Sequence, residues 1–250
     1  MSAPLLTDAF PRWSSVLAVC AHPDDESFGL GALLHHLAAH GAQTSVLCFT
    51  HGEASTLGPF ATGLREIREH ELTAAARELG VGHVEVLDHP DGALSAVPLL
   101  ELADSVDKAA DEVGADVLLV FDEGGVTGHP DHRRATEAAL AAGRDLPVLA
   151  WNVPRVVGDL LNAEFGTTFS GRDDGEFDLV LTVDREGQGR AIACHASQST
   201  DNPVLWRRLE LLGDTESVRW LRPPAGEGSL SKNVSSAFRA AVPVSQGGVK

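Results

Sequence analysis

The apolar residues of this chain fall into short continuous runs separated by longer stretches with helical spacing. Val16 to Ala21 is the first run, and Thr44 to Phe49, Val84 to Leu87, Asp116 to Phe121 and Val148 to Trp151 repeat it. Runs of this length between polar or glycine positions predict strands buried on both faces. Between them, apolar residues recur at spacings of three and four over 28–40, 64–79, 98–113 and 131–142, with Gly41 and Gly80 placed to end the first two. That spacing predicts helices. Strands joined by right-handed helical crossovers build a mainly parallel sheet with helices on both faces. The predicted fold is therefore α/β, a Rossmann-like three-layer sandwich. After Pro154 the pattern is less regular, with strands expected over 177–183 and 218–221 and helices over 188–195 and 203–212. From Pro223 the composition turns to Pro, Gly, Ser and Ala, which predicts a flexible tail over 223–250, with a helical turn at 234–241 as an option. Residues 1–222 are then one domain.

Composition narrows the function. No stretch approaches the roughly 20 apolar residues of a membrane helix, and Val16 to Ala21 lacks the basic flank and cleavage site of a secretory signal. A soluble, cytoplasmic enzyme with no membrane insertion is expected. The net charge of −17 disfavours nucleic acid as a partner, because phosphate neutralisation needs clustered Lys and Arg. Cys20, Cys48 and Cys194 are odd in number and widely spaced, which reads as core residues rather than a disulfide framework.

The candidate chemistry sits at strand ends. The first strand leads into Ala21-His22-Pro23-Asp24-Asp25-Glu26, and the run ending at Phe121 leads through a glycine-rich loop into His129-Pro130-Asp131-His132. Both loops leave the C-terminal edge of a parallel sheet, where open α/β folds bind ligands. A catalytic zinc takes three N/O ligands and keeps one position open, a set that His22, Asp25 and His132 supply. Asp24 is placed to take a proton from water, and His129, with Asp131 to raise its pKa by pairing, to donate one to a leaving amine. The plain alternative is that Asp24 and Asp131 cap the helices that follow.

The segments AHPDDE and GHPDH resemble the signature pair of the PIG-L/LmbE-like N-acetylglucosaminyl deacetylases. The resemblance implies zinc on His22, Asp25 and His132, Asp24 as general base, and His129 as acid or transition-state stabiliser with Asp131 as its modulator. It extends to Arg68 and Glu71 in REHELTAAARELG and to His195–Gln198, HASQ. Arg68 is read as reaching substrate or an oxyanion, the alternative being an exposed helical ion pair. Glu71 is read as structural, and His195 as a buttress of the site or a core histidine. Glu53 resembles an acidic residue that contacts sugar hydroxyls, and Asp91 is a second acceptor for them; a solvated loop carboxylate and a turn corner are the alternatives. The implied substrate is a small amino-sugar conjugate, with a thiol-sugar conjugate or natural-product glycoside as a variant. A metal-stabilised sugar-binding module without catalysis is the rival from another class.

This chain has no tyrosine, and Thr127 stands where some members carry a mobile one that polarises the carbonyl. Gly29-Leu30-Gly31 begins like a dinucleotide fingerprint but lacks the third glycine, so it is read as close helix packing. Trp206 and Trp220 are read as core residues. N/O sites accept several divalent ions, so Fe2+ stands beside Zn2+. Oligomeric state is left open, a homo-oligomer included.

Overall fold

The computed structural model describes residues 13–57, 62–142 and 145–225, so the tail expected over 223–250 lies almost wholly outside the described residues, as does 234–241. Among the described residues, seven strands form one sheet: β1 Ser15–Cys20, β2 Gln43–Cys48, β3 His83–Val86, β4 Val117–Phe121, β5 Val148–Asn152, β6 Leu179–Thr182 and β7 Thr215–Arg222. Their order is β3-β2-β1-β4-β5-β7-β6. All pairings among β1–β5 are parallel, and β7 runs antiparallel to both its neighbours. The α/β sandwich expectation holds, with β7 as the one reversed strand.

Side chains alternate across this sheet and divide the core in two. Val16, Ala18 and Cys20 of β1 face helices α1 Gly31–Ala39, α2 Leu64–Leu79, α5 Arg155–Phe165 and α6 Glu186–Cys194. Leu17 and Val19 face α3 Leu99–Val113 and α4 Pro130–Ala141 on the other side. Both faces being covered, the central strands β1, β4 and β5 are almost wholly apolar, and this is why they read as continuous apolar runs. Helix α7, Pro203–Leu212, closes the sheet beside α5.

Two elements depart from the expectation. The helix expected over 28–40 is broken into one turn, Asp25–Phe28, followed by α1. At the break, a Cβ on Gly29 would lie 2.3 Å from the Phe121 ring and 3.0 Å from that of Trp151, so the backbone rests on these rings. The glycines thus serve close packing, as read, although Gly29 lies between two helical segments and only Gly31 lies within one, at the start of α1. Helix α5 was not expected. Gly158 and two β-branched valines give Arg155–Phe165 a weak helical signature, and burial of Val157 and Leu161 in the core offsets it. Trp206 is 46% exposed, not core.

Candidate active site

Strand order reverses between β1 and β4: the chain winds outward through β2 and β3, then crosses back to place β4 on the other side of β1. The loops after β1 and β4 diverge at that switch point and leave a crevice. A cavity of about 420 Å³ occupies it, bordered by His22, Asp24, Asp25, Arg68, His129 and His132 among others. The two acidic histidine loops, 110 residues apart, meet here.

The first loop is shaped by backbone bonds to its own acids. Asp25 Oδ2 accepts from the Ala21 and His22 amides at 3.0 and 2.9 Å, which leaves Oδ1 facing His132 Nε2 at 3.1 Å. Asp24 stands at the N-terminus of the turn but makes no side-chain cap, so the capping alternative does not describe it. Its φ of 138° is costly for a residue with a Cβ, by about 1–3 kcal/mol. Buried Glu26 helps hold it there, accepting the Asp24 amide at 2.9 Å through Oε2 and contacting His195 Nε2 at 2.7 Å through Oε1. His195 is fully buried, and its role is to support this loop from α6.

His22 Nδ1 lies 3.2 Å from His132 Nε2 and 3.8 Å from Asp25 Oδ2. The opposite edge of the His132 ring is hydrogen-bonded, and that of the His22 ring faces two carboxylates without a formed hydrogen bond. His132 Nδ1 lies 3.1 Å from the Gly125 carbonyl, which requires a proton on Nδ1 and leaves the Nε2 lone pair toward His22. His22 Nε2 faces Asp91 Oδ1 at 3.1 Å and Asp131 Oδ2 at 3.5 Å, which favours its proton there and leaves the Nδ1 lone pair toward His132. In the neutral rings two lone pairs thus face one another, an arrangement that a proton or a cation between them satisfies. Without a metal, burial opposes the imidazolium of His22, but Asp131 and Asp91 outweigh it and push its pKa up to about 10. Burial likewise opposes the Asp25 carboxylate, and His132 and His22 hold its pKa well below the usual range. The carbonyl that orients His132 comes from a strained turn: Val126 has φ 57°, rare for a β-branched residue, and the Ser170 amide donates to its carbonyl at 2.7 Å.

The second loop corrects one expectation. Asp131 does not pair with the His129 ring; its carboxylate accepts from the Gly92 and Leu94 amides at 2.7 and 3.1 Å and faces His22. Instead, His129 caps α4, its Nδ1 accepting the Asp131 amide at 3.2 Å with Pro130 in the first turn. The proton of the neutral ring is therefore on Nε2. Burial, then the neighbouring His132 and His22, lower the His129 pKa, opposite to the expected rise.

Arg68 is no exposed ion pair. Only 3% exposed, it donates through Nη1 to the Gly52 carbonyl at 2.7 Å and through Nη2 to the Pro23 carbonyl at 2.5 Å, with Asp24 Oδ2 at 2.9 Å. It thus ties the loops after β1 and β2 together and places a cation beside Asp24. Burial raises the Asp24 pKa, Arg68 opposes this, and Asp25 adds to it; the net is a rise. Gly52 makes room for the guanidinium, since a Cβ there would lie 2.1 Å from Nη1 and φ is 65°. Gly52→Ala is expected to cost about 2–4 kcal/mol, from left-handed backbone strain and a displaced buried hydrogen bond, read as a lower Tm together with reduced turnover. An unchanged melt would count against this clamp.

Glu53 and Asp91 are joined across two loops. Exposed Glu53 accepts the Asp91 amide at 3.2 Å, and Asp91 accepts the Ala54 amide at 2.8 Å while facing His22. Asp91 borders the cavity through this contact. Glu71 is structural, accepting the Ser197 amide and hydroxyl at 2.8 and 2.6 Å. Thr127 borders the cavity where a tyrosine was absent. Burial pushes the Cys20 and Cys48 thiols up, away from nucleophilic use. Sequence reasoning missed Glu26, although its place in AHPDDE marked it, and the wall of Trp151, Phe169, Leu205 and Arg208, for which no local signal exists.

The profile of the family described as PIG-L: GlcNAc-PI de-N-acetylase matches residues 17–143. The chain is 30% identical over 248 aligned residues to a 1D-myo-inositol 2-acetamido-2-deoxy-alpha-D-glucopyranoside deacetylase of Kineococcus radiotolerans, covering 74% of this chain and 69% of that protein. It is 31% identical to a probable N-acetylglucosaminyl-phosphatidylinositol de-N-acetylase of Schizosaccharomyces pombe, over 53% of each chain, so the match spans about half of that relative. Among solved structures, the N,N'-diacetylchitobiose deacetylase of Pyrococcus horikoshii shares the fold with a TM-score of 0.63 at 22% identity, covering 87% of each chain.

Proposed function

This chain belongs to the PIG-L family, and on that footing we propose that it is a metal-dependent hydrolase that removes an acetyl group from an N-acetylglucosamine-type conjugate. The observation that carries the metal reading is the pair of ring nitrogens, His22 Nδ1 and His132 Nε2, 3.2 Å apart with Asp25 Oδ1 3.1 Å from the latter. Tetrahedral ligands at zinc distances stand about 3.3 Å from one another, which both separations match, and His22, His129 and His132 each bring a ring nitrogen within 4.8 Å of the others. The other histidine edges, bonded to Gly125 in His132 and facing Asp91 and Asp131 in His22, are the outer contacts that favour ligand tautomers. Zinc is the preferred ion and Fe2+ fits the same donors. When bound, such an ion supplies Lewis-acid chemistry toward an amide carbonyl.

The chain's own groups then have distinct tasks. Asp24, held at the cavity by Arg68 and Glu26, takes the proton of the attacking water; the water oxygen bonds to the carbonyl carbon, the C–N bond breaks, and the proton passes to the amine. His129 acts as a neutral Nε2–H donor to the oxygen on which charge develops, the stabiliser role rather than that of an imidazolium acid. Asp131 bonds to the 92–94 loop and faces His22; on His129 it acts only through its charge, which favours the imidazolium but is outweighed by burial, His132 and His22. Arg68 and Asp91 border the substrate space, whereas Glu53 supports Asp91. Among the described residues no helix is long and apolar enough to cross a membrane, which is compatible with a small-molecule substrate in solution.

The test is acetate release from N-acetylglucosamine conjugates before and after rigorous chelation, with metal analysis of the same samples. Loss of release on stripping, and its return with zinc or ferrous ion, is expected. Undiminished release from metal-free protein would reject the reading, and tight ligand retention without acetate would favour a binding module.

A further inference from the structure

Beyond the catalytic loops, the cavity is walled by Phe28, Phe121, Trp151, Phe169, Val204 and Leu205, and this apolar wall contains one cation, Arg208 of α7. Arg208 is 8% exposed. Its Nη2 donates to the Phe28 carbonyl at 2.5 Å, its guanidinium carbon lies 5.3 Å from the Trp151 ring centroid, and its Nε is buried with no partner. Among the described residues no carboxylate lies within 4 Å of it. Glu216 is the acid with the largest influence on it, but Arg185 Nη1 and Trp151 Nε1 already engage that side chain at 2.6 and 2.5 Å. Burial, only partly opposed by Glu216, pushes the Arg208 pKa down to about 10, so the ion remains charged at neutral pH without an anion to meet it.

A buried, charged and incompletely bonded guanidinium is costly unless something pairs with it. Its fork suits two-pronged contact with carboxylate or phosphate. From His132 the rings of Phe121 and Trp151 lead to it, with centroid separations of 4.9 and 5.3 Å. Arg208 is thus separated from His132 by two aromatic rings, and Asp24 and Asp25 act on it less than Glu216 does. It also lies beyond residues 17–143, the stretch matched by the family profile.

We propose that Arg208 is a specificity-determining residue, which selects substrates bearing an anionic group, a carboxylate or a phosphate, at the end of the molecule remote from the scissile amide. This rests on the deacetylase reading above. The test uses three matched N-acetylglucosamine conjugates whose remote group is neutral, carboxylate or phosphate, and compares kcat/KM for wild type, R208Q and R208K. Wild type is expected to prefer at least one anionic conjugate by roughly tenfold or more, mainly through KM. The preference should fall to near unity in R208Q and be partly retained in R208K. Which anion is preferred separates carboxylate from phosphate. A merely structural arginine would lower all three substrates in proportion, leaving the ratio unchanged, and that outcome overturns the proposal. So does a wild type without preference, a result that stands even where R208Q fails to fold. If no conjugate is hydrolysed, the deacetylase reading fails separately. Calorimetric binding of the same conjugates to wild type and R208Q then decides the anion site, equal affinities overturning it.

Discussion

Asp24→Asn is expected to reduce acetate release by about 10²- to 10⁴-fold, the range for removal of a positioned general base, while bound metal stays at the wild-type level. Asn keeps the shape that the Asp24 backbone and Arg68 require but cannot accept the proton. The same change is expected to raise the Tm of the metal-free protein. Burial and Asp25 raise the Asp24 pKa despite Arg68, so the folded state disfavours the carboxylate. Between the unfolded and folded pKa values the native protein holds the extra proton, and stability falls as pH rises through that window. At neutral pH the full penalty is present, and Asn removes it. Metal-free melts of both proteins at pH 7, set beside acetate release, check the pair of effects. A variant that loses metal, or melts lower without it, would show that Asp24 holds the site together rather than acting in the reaction.

His132→Ala should remove activity and metal together. The variant loses one of three donors, and the Gly125 carbonyl loses its ring contact. The readout that separates metal loss from general damage is thermal: a ligand at about 100 times its Kd stabilises a protein by roughly 2.7 kcal/mol. For a chain of this size that raises Tm by roughly 5–10 °C on adding zinc. The wild type should show this rise and His132→Ala should not, with metal content measured in parallel. Equal rises in both would remove His132 from the proposed ligand set. His22→Ala serves as the companion variant, because the same ion would rest on His22 Nδ1.

These effects rest on residues of unequal legibility. His22, Asp25 and His132 stand in short segments following apolar runs, and a local pattern suffices to find them because strand and loop are adjacent in sequence. Their meeting, the parallel sheet between them and the position at its C-terminal edge followed from alternation of strand and helix. Gly52 was legible only as a turn residue; that it makes room for Arg68, 16 residues later, was not. Helix α5 was missed because its own propensity is weak and its stability comes from burial.

Protonation and partner choice lay further from reach. Asp131 is next but one to His129 in sequence, yet it bonds to a loop 37 to 39 residues away, while the His129 ring is spent on a backbone amide. Glu53 accepts the amide of Asp91, 38 residues away, a contact that no local pattern announces. The amino-acid sequence by itself determined the α/β class, the family signature and the presence of a candidate ligand set, because those depend on periodicity and on residues a few positions apart. Which nitrogen bears a proton, what Arg68 clamps and where Arg208 is left without an acid were decided by the tertiary structure alone. The reason is physical: tautomers, buried charges and cavity walls depend on distances of a few ångströms between segments that the chain order keeps far apart.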